Sequence, residues 1–205
     1  MDTTVNRAPM LAGKNLVLRR PQEQDIEDRL AYGRHVEIVR MYGGDTRNMK
    51  PLTREEAVQS HRRALSRPLE WTIEHEGRYI GVARLTVNEA DRRARFAIGI
   101  ADINKLSRGL GTEATTLVLD YAFNVLGLHR VDLRVLDYNK RALRCYEKCG
   151  FVREGVEREG ALIEGKWETD VMMSILEQEY RGQMGEATPP TPPRDYSSRS
   201  HRASE

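Results

Sequence analysis

The chain has 205 residues, a hydrophobic content of 39% and a formal net charge of +2 at pH 7. This length supports one well-packed core, so we predict a single domain. The small charge argues against nucleic acid as a partner, the apolar runs are too short to span a bilayer, and no signal-peptide pattern opens the chain. We therefore expect a cytoplasmic protein with no membrane or nucleic-acid partner, and a homodimer remains open.

Alternation and helical periodicity predict the elements of the first half in chain order. Residues 1–13 show no periodic pattern and are expected to form a flexible lead-in. A strand, an imperfect helix, a helix opened by a capping-box pattern at Thr53, and two strands joined through Glu76-Gly77 follow. They are expected at 15–20, 22–41, 53–65, 69–73 and 79–85.

The second half alternates strands and helices before its composition changes. We predict strands at 94–100, 130–135, 155–159 and 168–176, a helix over 115–126 and another after Asn139. From residue 182 to 205 the chain is rich in Pro, Ser and Arg, and it cannot bury enough apolar surface to offset its conformational entropy. The sequence thus predicts a domain over 14–181 and a disordered tail.

The segment between the strand at 94–100 and the next helix has the pattern Gly109-x-Gly111. Two glycines permit a tight turn, and the helix that follows directs its positive N-terminal end at the same place, which favours phosphate. The chain has no P-loop pattern. A dinucleotide-binding turn fits Gly109-x-Gly111-x-x-Ala114, but that turn normally follows the first strand and precedes an acidic residue about 20 positions on. It is kept as an alternative.

Further along, the chain reads Asn139-x-x-Ala142-x-x-x-Tyr146-x-x-x-Gly150-Phe151. Together with the glycine turn, this resembles the GNAT superfamily of acyl-CoA-dependent N-acetyltransferases. The flanking residues 120–130 resemble the branch that holds the ribosomal-protein alanine acetyltransferases. The resemblance covers residues 15–180 and is strongest over 94–155.

The resemblance implies an α+β fold, in which a mixed, mostly antiparallel and twisted sheet is splayed at its centre and flanked by helices on both faces. It implies acetyl-CoA as co-substrate, no metal, and direct attack by an amine-bearing acceptor in a ternary complex. The catalytic residues would be Tyr146, which would protonate the departing thiolate, and Asn139, which would contact the pantetheine arm. The cofactor-binding residues would be Ile98, Ile100, Ser107, Arg108, Gly109, Leu110, Gly111, Thr112, Asn139 and Tyr146. Leu106 and Ser107 depart from the residues that the family prefers before the loop.

The general base is the least defined part of the site. The position at which the family often has a glutamate falls on Arg95, which cannot accept a proton. The remaining candidates are Glu70, Asp102, Asp170, His35 and His75. An acceptor α-amine with a pKa near ~8 also needs little help, so a dedicated base is not required.

The resemblance further implies that the acceptor is a primary amine of a small molecule, such as a metabolite or antibiotic, or of a protein N-terminus. Residues 34–67 carry eight Arg or Lys against four acids, an excess of +4 that suits a neutral or anionic acceptor if these charges face the cleft. Tyr42, Trp71 and Trp167 are candidate pocket residues. Cys145 and Cys149 share one helix face and are interpreted as reduced thiols. A non-catalytic acyl-CoA-binding module is the alternative function.

Overall fold

The computed structural model describes residues 7–183 and Gly185. The strands are β1 (Leu11–Ala12), β2 (Val17–Arg19), β3 (Glu70–His75), β4 (Arg78–Asn88), β5 (Arg93–Ile100), β6 (Arg130–Leu136), β7 (Val152–Ile163) and β8 (Lys166–Leu176). The helices are α1 (Gln24–Tyr32), α2 (Val36–Met41), α3 (Arg54–Ser66), α4 (Leu110–Asp120), α5 (Lys140–Lys148) and α6 (Glu177–Gln183). A 3-10 turn lies over Ile103–Lys105, and a π-helical turn over Tyr121–Val125 continues α4.

The strands form one sheet in the order β1-β2-β3-β4-β5-β6-β8-β7. In the described chain every neighbouring pair is antiparallel except β5 and β6, which run parallel. These two strands pair only from Arg93 opposite Arg130 to Arg95 opposite Asp132. Beyond that point they diverge, so the sheet is splayed at its centre as predicted.

Helices cover both faces because side chains alternate along each strand. On β3, Trp71 is fully buried in the main core and its ring packs edge-on against Tyr121 just beyond α4. Its neighbour Thr72 faces the other way and donates a hydrogen bond to Asp25 of α1 at 2.6 Å. The predicted α+β architecture is therefore confirmed, with α4 and α1 on opposite faces of the sheet.

Local signals explain where several helices begin and end. Thr53 caps α3, and the Glu56 side chain accepts a hydrogen bond from the Thr53 backbone in return, which completes the predicted capping box. The helix predicted over 22–41 is two helices, because Gly33 takes the left-handed φ of 64° after α1 and His35 caps α2. The helix predicted from residue 115 already begins at Leu110.

The boundaries of the predicted domain differ in detail from the structure. Within the expected lead-in, Leu11 and Ala12 pair with β2, and the Trp71 indole donates to the Pro9 carbonyl at 2.7 Å. The backbone groups of this segment are thus anchored by the fold, which a composition argument does not detect. Gly182, expected to open the tail, lies in α6. Residues 1–6, 184 and 186–205 lie outside the described residues. Within residues 7–183 and Gly185, no helix is long and apolar enough to cross a bilayer.

Candidate active site

The divergence of β5 and β6 opens a cleft of about 620 Å³. It runs from the glycine turn before α4, past the ends of both strands, to α2 and the β7–β8 hairpin. The residues that line it are Ile38, Met41, Tyr42, Gly43, Phe96, Ala97, Ile98, Gly99, Ile100, Lys105, Leu106, Ser107, Gly109, Gly111, Thr112, Arg134, Val135, Leu136, Asn139, Arg141, Ala142, Arg144, Cys145, Tyr146, Lys148, Ala161, Leu162, Ile163 and Asp170.

The glycine turn sits at one end of this cleft with its backbone in an unusual conformation. Ser107 and Gly109 both have left-handed φ values, 59° and 81°, and Gly109 is the residue from which α4 starts. The first N–H groups of a helix have no partner within it, so this turn presents donors and a positive dipole end. Glu113, in the first turn of α4, points away as expected and accepts two hydrogen bonds of 2.8 Å from Asn15.

Most of the predicted cofactor-binding residues lie together in the cleft. Ile98, Ile100, Ser107, Gly109, Gly111, Thr112, Asn139 and Tyr146 all line it. Arg108 is exposed and is not among the residues that line the cleft. The Leu110 side chain is buried in the core, so this residue offers the cleft only its backbone. A motif gives positions along the chain and not the direction of each side chain, which explains both differences.

Tyr146 packs against two other aromatic rings beside the cleft. Its ring packs edge-on against Phe96 and Phe151, with centroid distances of 6.5 and 5.7 Å. The residue is only 7% exposed, yet it lines the cleft. Burial raises the pKa of the Tyr146 phenol well above its usual value, and nearby Tyr42 adds to the effect. The phenol therefore stays protonated at neutral pH and can act as a proton donor.

Asn139 uses its side chain inside the protein. Its Oδ1 accepts a hydrogen bond from the Ala142 N–H at 3.1 Å and caps α5, while its Nδ2 donates to the Met41 carbonyl at 3.2 Å. It therefore joins the start of α5 to the end of α2. The contact with the pantetheine arm that the resemblance implies remains a prediction.

Tyr42, which follows α2, also lines the cleft. Its hydroxyl donates to the Ile98 carbonyl at 3.2 Å, a group on the unpaired edge of β5. A Cβ atom on Gly99 would overlap this hydroxyl, so the glycine lets the ring approach β5. Of the three aromatic residues expected at the pocket, Tyr42 lines the cleft, Trp71 is in the core and Trp167 lies on the surface outside the lining.

Both cysteines are free thiols, as interpreted from the sequence. Cys145 lines the cleft beside the first turn of α4, with its Sγ 3.4 Å from the Thr112 hydroxyl. Cys149 is buried behind it and donates to the Thr112 carbonyl at 3.6 Å. A hydrogen bond from Cys149 lowers the pKa of the Cys145 thiol. In the described chain no group of three or more His, Cys, Asp or Glu side chains is placed to hold a metal ion.

The structure separates the five candidate bases, which are Glu70, Asp102, Asp170, His35 and His75. Asp170 lines the cleft and the other four do not. Each of those four is engaged elsewhere: Glu70 pairs with Arg67, Asp102 accepts from the Asn104 N–H, His35 caps α2, and His75 contacts the Asn15 carbonyl. Arg95, at the position of the family glutamate, pairs with the buried Asp132 at 3.1 Å.

The basic residues between 34 and 67 do not form a wall of the cleft. None of the eight Arg and Lys residues counted between 34 and 67 lines the cleft, because several pair with acids outside it, such as Arg34 with Glu56 and Arg54 with Glu27. Sequence reasoning missed another basic set. Arg141, Arg144 and Lys148 lie on α5 and line the cleft. Their three- and four-residue spacing places them on neighbouring parts of one helix face, a pattern that was available in the sequence.

Comparisons with known proteins agree with this geometry. Residues 15–152 match a family model described as an acetyltransferase (GNAT) domain. Spermidine N(1)-acetyltransferase of Escherichia coli (strain K12) is 33% identical over 111 residues, which are 54% of this chain and 59% of that protein. YdaF of Bacillus subtilis, provisionally named a ribosomal N-acetyltransferase, is 28% identical over 116 residues, 56% of this chain and 63% of its own.

A solved structure gives the same result at the level of the fold. Vibrio cholerae spermidine N-acetyltransferase, in complex with CoA and spermine, superposes with a TM-score of 0.68 and 26% identity over 82% of this chain and 99% of that one. Against four of its curated relatives, the chain spans only 38% to 59% of the relative's length. The family match alone covers well over half of the chain. The chain therefore belongs to the GNAT acetyltransferase family.

Proposed function

We propose that the protein is an acetyl-CoA-dependent N-acetyltransferase that acetylates a primary amine by direct attack in a ternary complex. The acceptor would be a small molecule, such as a metabolite or antibiotic, or a protein N-terminus. The observation that carries the proposal is that the buried Tyr146 lines the same cleft as the glycine turn and the diverging residues of β5. The homodimer and the cytoplasmic location stay predictions.

The donor set at the turn fits the diphosphate of CoA. Backbone N–H groups at residues 109–112 and the positive end of α4 would hold the phosphate oxygens. The cationic side chains Lys105, Arg144 and Lys148 line the same cleft and would add attraction. The edge of β5 from Ile98 to Ile100 does not pair with β6, so its backbone groups are available to the amides of the pantetheine arm of CoA.

The chemistry divides between the bound thioester and the protein. Acetyl-CoA supplies the activated acetyl group. A neutral amine nitrogen forms the new C–N bond while the C–S bond breaks, and the departing thiolate takes a proton from Tyr146. Tyr146 suits this role because its raised pKa keeps it protonated. We assign Asn139 a positioning role, since its amide fixes α5 relative to Met41.

The test is a thiol-release assay on Tyr146→Phe, with thermal melting to follow cofactor binding. We expect kcat to fall by about 10²–10⁴-fold, as for loss of a positioned acid, with little change in the KM for acetyl-CoA. Tyr121→Phe is the matched control, because Tyr121 is equally buried but does not line the cleft. Wild-type turnover in Tyr146→Phe would show that another group protonates the thiolate.

Two alternatives have distinct outcomes in the same assays. A non-catalytic acyl-CoA-binding module is favoured by Arg95, which occupies the expected base position and pairs with Asp132. It would bind acetyl-CoA and release no thiol with any amine of a broad panel. A dinucleotide-binding protein would melt at higher temperature with NAD and not with acetyl-CoA, whereas the proposed enzyme shows the reverse.

A further inference from the structure

Asp170 stands apart from the other charged residues of the cleft. It lies on β8 opposite Leu136 of β6, its side chain is 6% exposed, and it lines the cleft. Among the described residues of the lining it is the only carboxylate. The cations of the lining are Lys105, Arg134, Arg141, Arg144 and Lys148. An acceptor ammonium entering this cleft therefore has one anionic side chain to meet.

Asp170 and Tyr146 approach the opening of the sheet from opposite faces. Tyr146 packs against Phe96 on the face that α4 and α5 cover. On β8, Val171, Met173 and Ile175 belong to that same core, so the alternation of the strand places Asp170 on the other face. An amine and a leaving thiolate that occupy opposite sides of one carbonyl would each meet one of these groups.

The surroundings of Asp170 make it a stronger proton acceptor than a surface carboxylate. Arg134 of β6 lies 3.2 Å from its Oδ2 and also pairs with Glu157 of β7 at 3.0 Å. Burial raises the pKa of Asp170, Arg134 opposes this, and the negative charge of Glu157 adds to it, with a net rise. The Tyr138 phenol also lies within the electrostatic reach of Asp170. A higher pKa brings a base closer to the pH at which it works.

We propose that Asp170 binds the ammonium group of the acceptor and takes up its proton, and that the acceptor is a singly charged primary amine on an apolar group. The second part follows from the apolar side chains that line the same cleft, namely Ile38, Met41, Leu136, Ala161 and Ile163, of which Leu136 lies directly opposite Asp170 in the sheet. A second ammonium, as in a polyamine, would meet apolar carbon or Arg134 and would lose hydration without a partner. This inference rests on the acetyl transfer proposed above.

The protons balance over one turnover. The ammonium gives one proton to Asp170, and the neutral nitrogen then forms the C–N bond. As the C–S bond breaks, the nitrogen loses its second proton to solvent and the thiolate takes a proton from Tyr146. Tyr146 then regains a proton from solvent and Asp170 releases its own to solvent, so the net products are an amide, the CoA thiol and one proton.

The experiment measures kcat/KM across pH for Asp170→Asn, with phenethylamine and spermidine as acceptors. We expect kcat/KM for phenethylamine to fall by about 10²–10⁴-fold with unchanged binding of acetyl-CoA in thermal melts. In the wild type, protonation of Asp170 should lower kcat/KM at acidic pH, and this decrease should be absent in Asp170→Asn. Asp132→Asn is the matched control, because Asp132 is also buried and paired with an arginine but does not line the cleft. In the wild type, phenethylamine should exceed spermidine by about tenfold or more.

A second variant keeps Asp170 in place. Glu157→Gln removes a charge that raises the pKa of Asp170, so the acidic fall in kcat/KM should move to lower pH. An unmoved profile there, or a wild-type rate and pH profile in Asp170→Asn, overturns the role of Asp170. Preference for spermidine overturns the acceptor class. A wild-type protein that releases no thiol with any amine overturns the proposed function, and this inference with it.

Discussion

Gly111→Ala separates the role of the glycine turn in ligand binding from its role in folding. Gly111 lies in the first turn of α4 with an ordinary negative φ, and a Cβ atom there would meet only the Cys145 Sγ at 3.7 Å, a normal contact. Replacing a helical glycine whose backbone alanine can adopt stabilises a protein by about 0.4–1 kcal/mol. For a domain of this size the melting temperature without ligand should rise by ~1–4 °C.

The same methyl group should weaken acetyl-CoA, because it occupies space where the diphosphate would meet the backbone. At about 100 times the wild-type Kd, the ligand stabilises the folded state by about 2.7 kcal/mol. A tenfold loss of affinity removes about 1.4 kcal/mol of this, so the ligand-induced rise in melting temperature should fall by about half. Opposite changes in the two melting temperatures are hard to obtain from general damage to the fold.

The assay is differential scanning fluorimetry with and without acetyl-CoA, supported by calorimetric titration. Gly182→Ala is the control, since Gly182 is also helical, has nothing within 4 Å of a new Cβ, and lies in α6 outside the cleft lining. It should show no loss of ligand response. A folded Gly111→Ala protein with the full wild-type response to acetyl-CoA would remove this turn from the binding site.

Two further predictions concern the sheet and the cleft thiol. In urea denaturation, Gly81→Ala should lower the free energy of unfolding by about 1–3 kcal/mol, because its Cβ would overlap the Gly99 carbonyl oxygen. Gly155→Ala should leave the free energy of unfolding unchanged, because there is open space around Gly155. Equal stability of the two variants would contradict the packing argument. Iodoacetamide should label Cys145 at neutral pH, because its pKa is lowered, and acetyl-CoA should slow the labelling seen by mass spectrometry. Labelling at the same rate with saturating acetyl-CoA would place the ligand away from α4.

The features that could be predicted from the sequence were those encoded locally. The capping box at Thr53, the turn at Glu76-Gly77 and the glycine turn before α4 each depend on neighbouring residues, and the structure has each of them. The directions in which side chains point could not be predicted from the sequence in the same way. The basic residues between 34 and 67 were counted as one group, although their ion pairs lead away from the cleft. Such pairing depends on contacts distant in sequence.

The position of Asp170 in the cleft also depends on contacts between residues that are distant in sequence. On the sequence it was one of five equivalent acids and histidines. It is distinguished by the register of β8 with β6, which places it opposite Leu136 and at the opening of the sheet. Register between strands separated by 34 residues is set by tertiary packing, which no local pattern records.

The early divergence of β5 and β6 also bears on the solubility of the protein. Beyond Arg95 and Asp132 the facing edges of β5 and β6 do not pair with each other, although both strands lie in the middle of the sheet. On the β5 edge, the Ile98 carbonyl accepts a hydrogen bond from the Tyr42 hydroxyl. Unpaired strand edges are templates for self-association. A bound linear ligand that carries amides would shield these edges as well as react beside them. Protein produced faster than its ligand is supplied would then be the form most prone to aggregate, and adding acetyl-CoA during purification should keep it monodisperse.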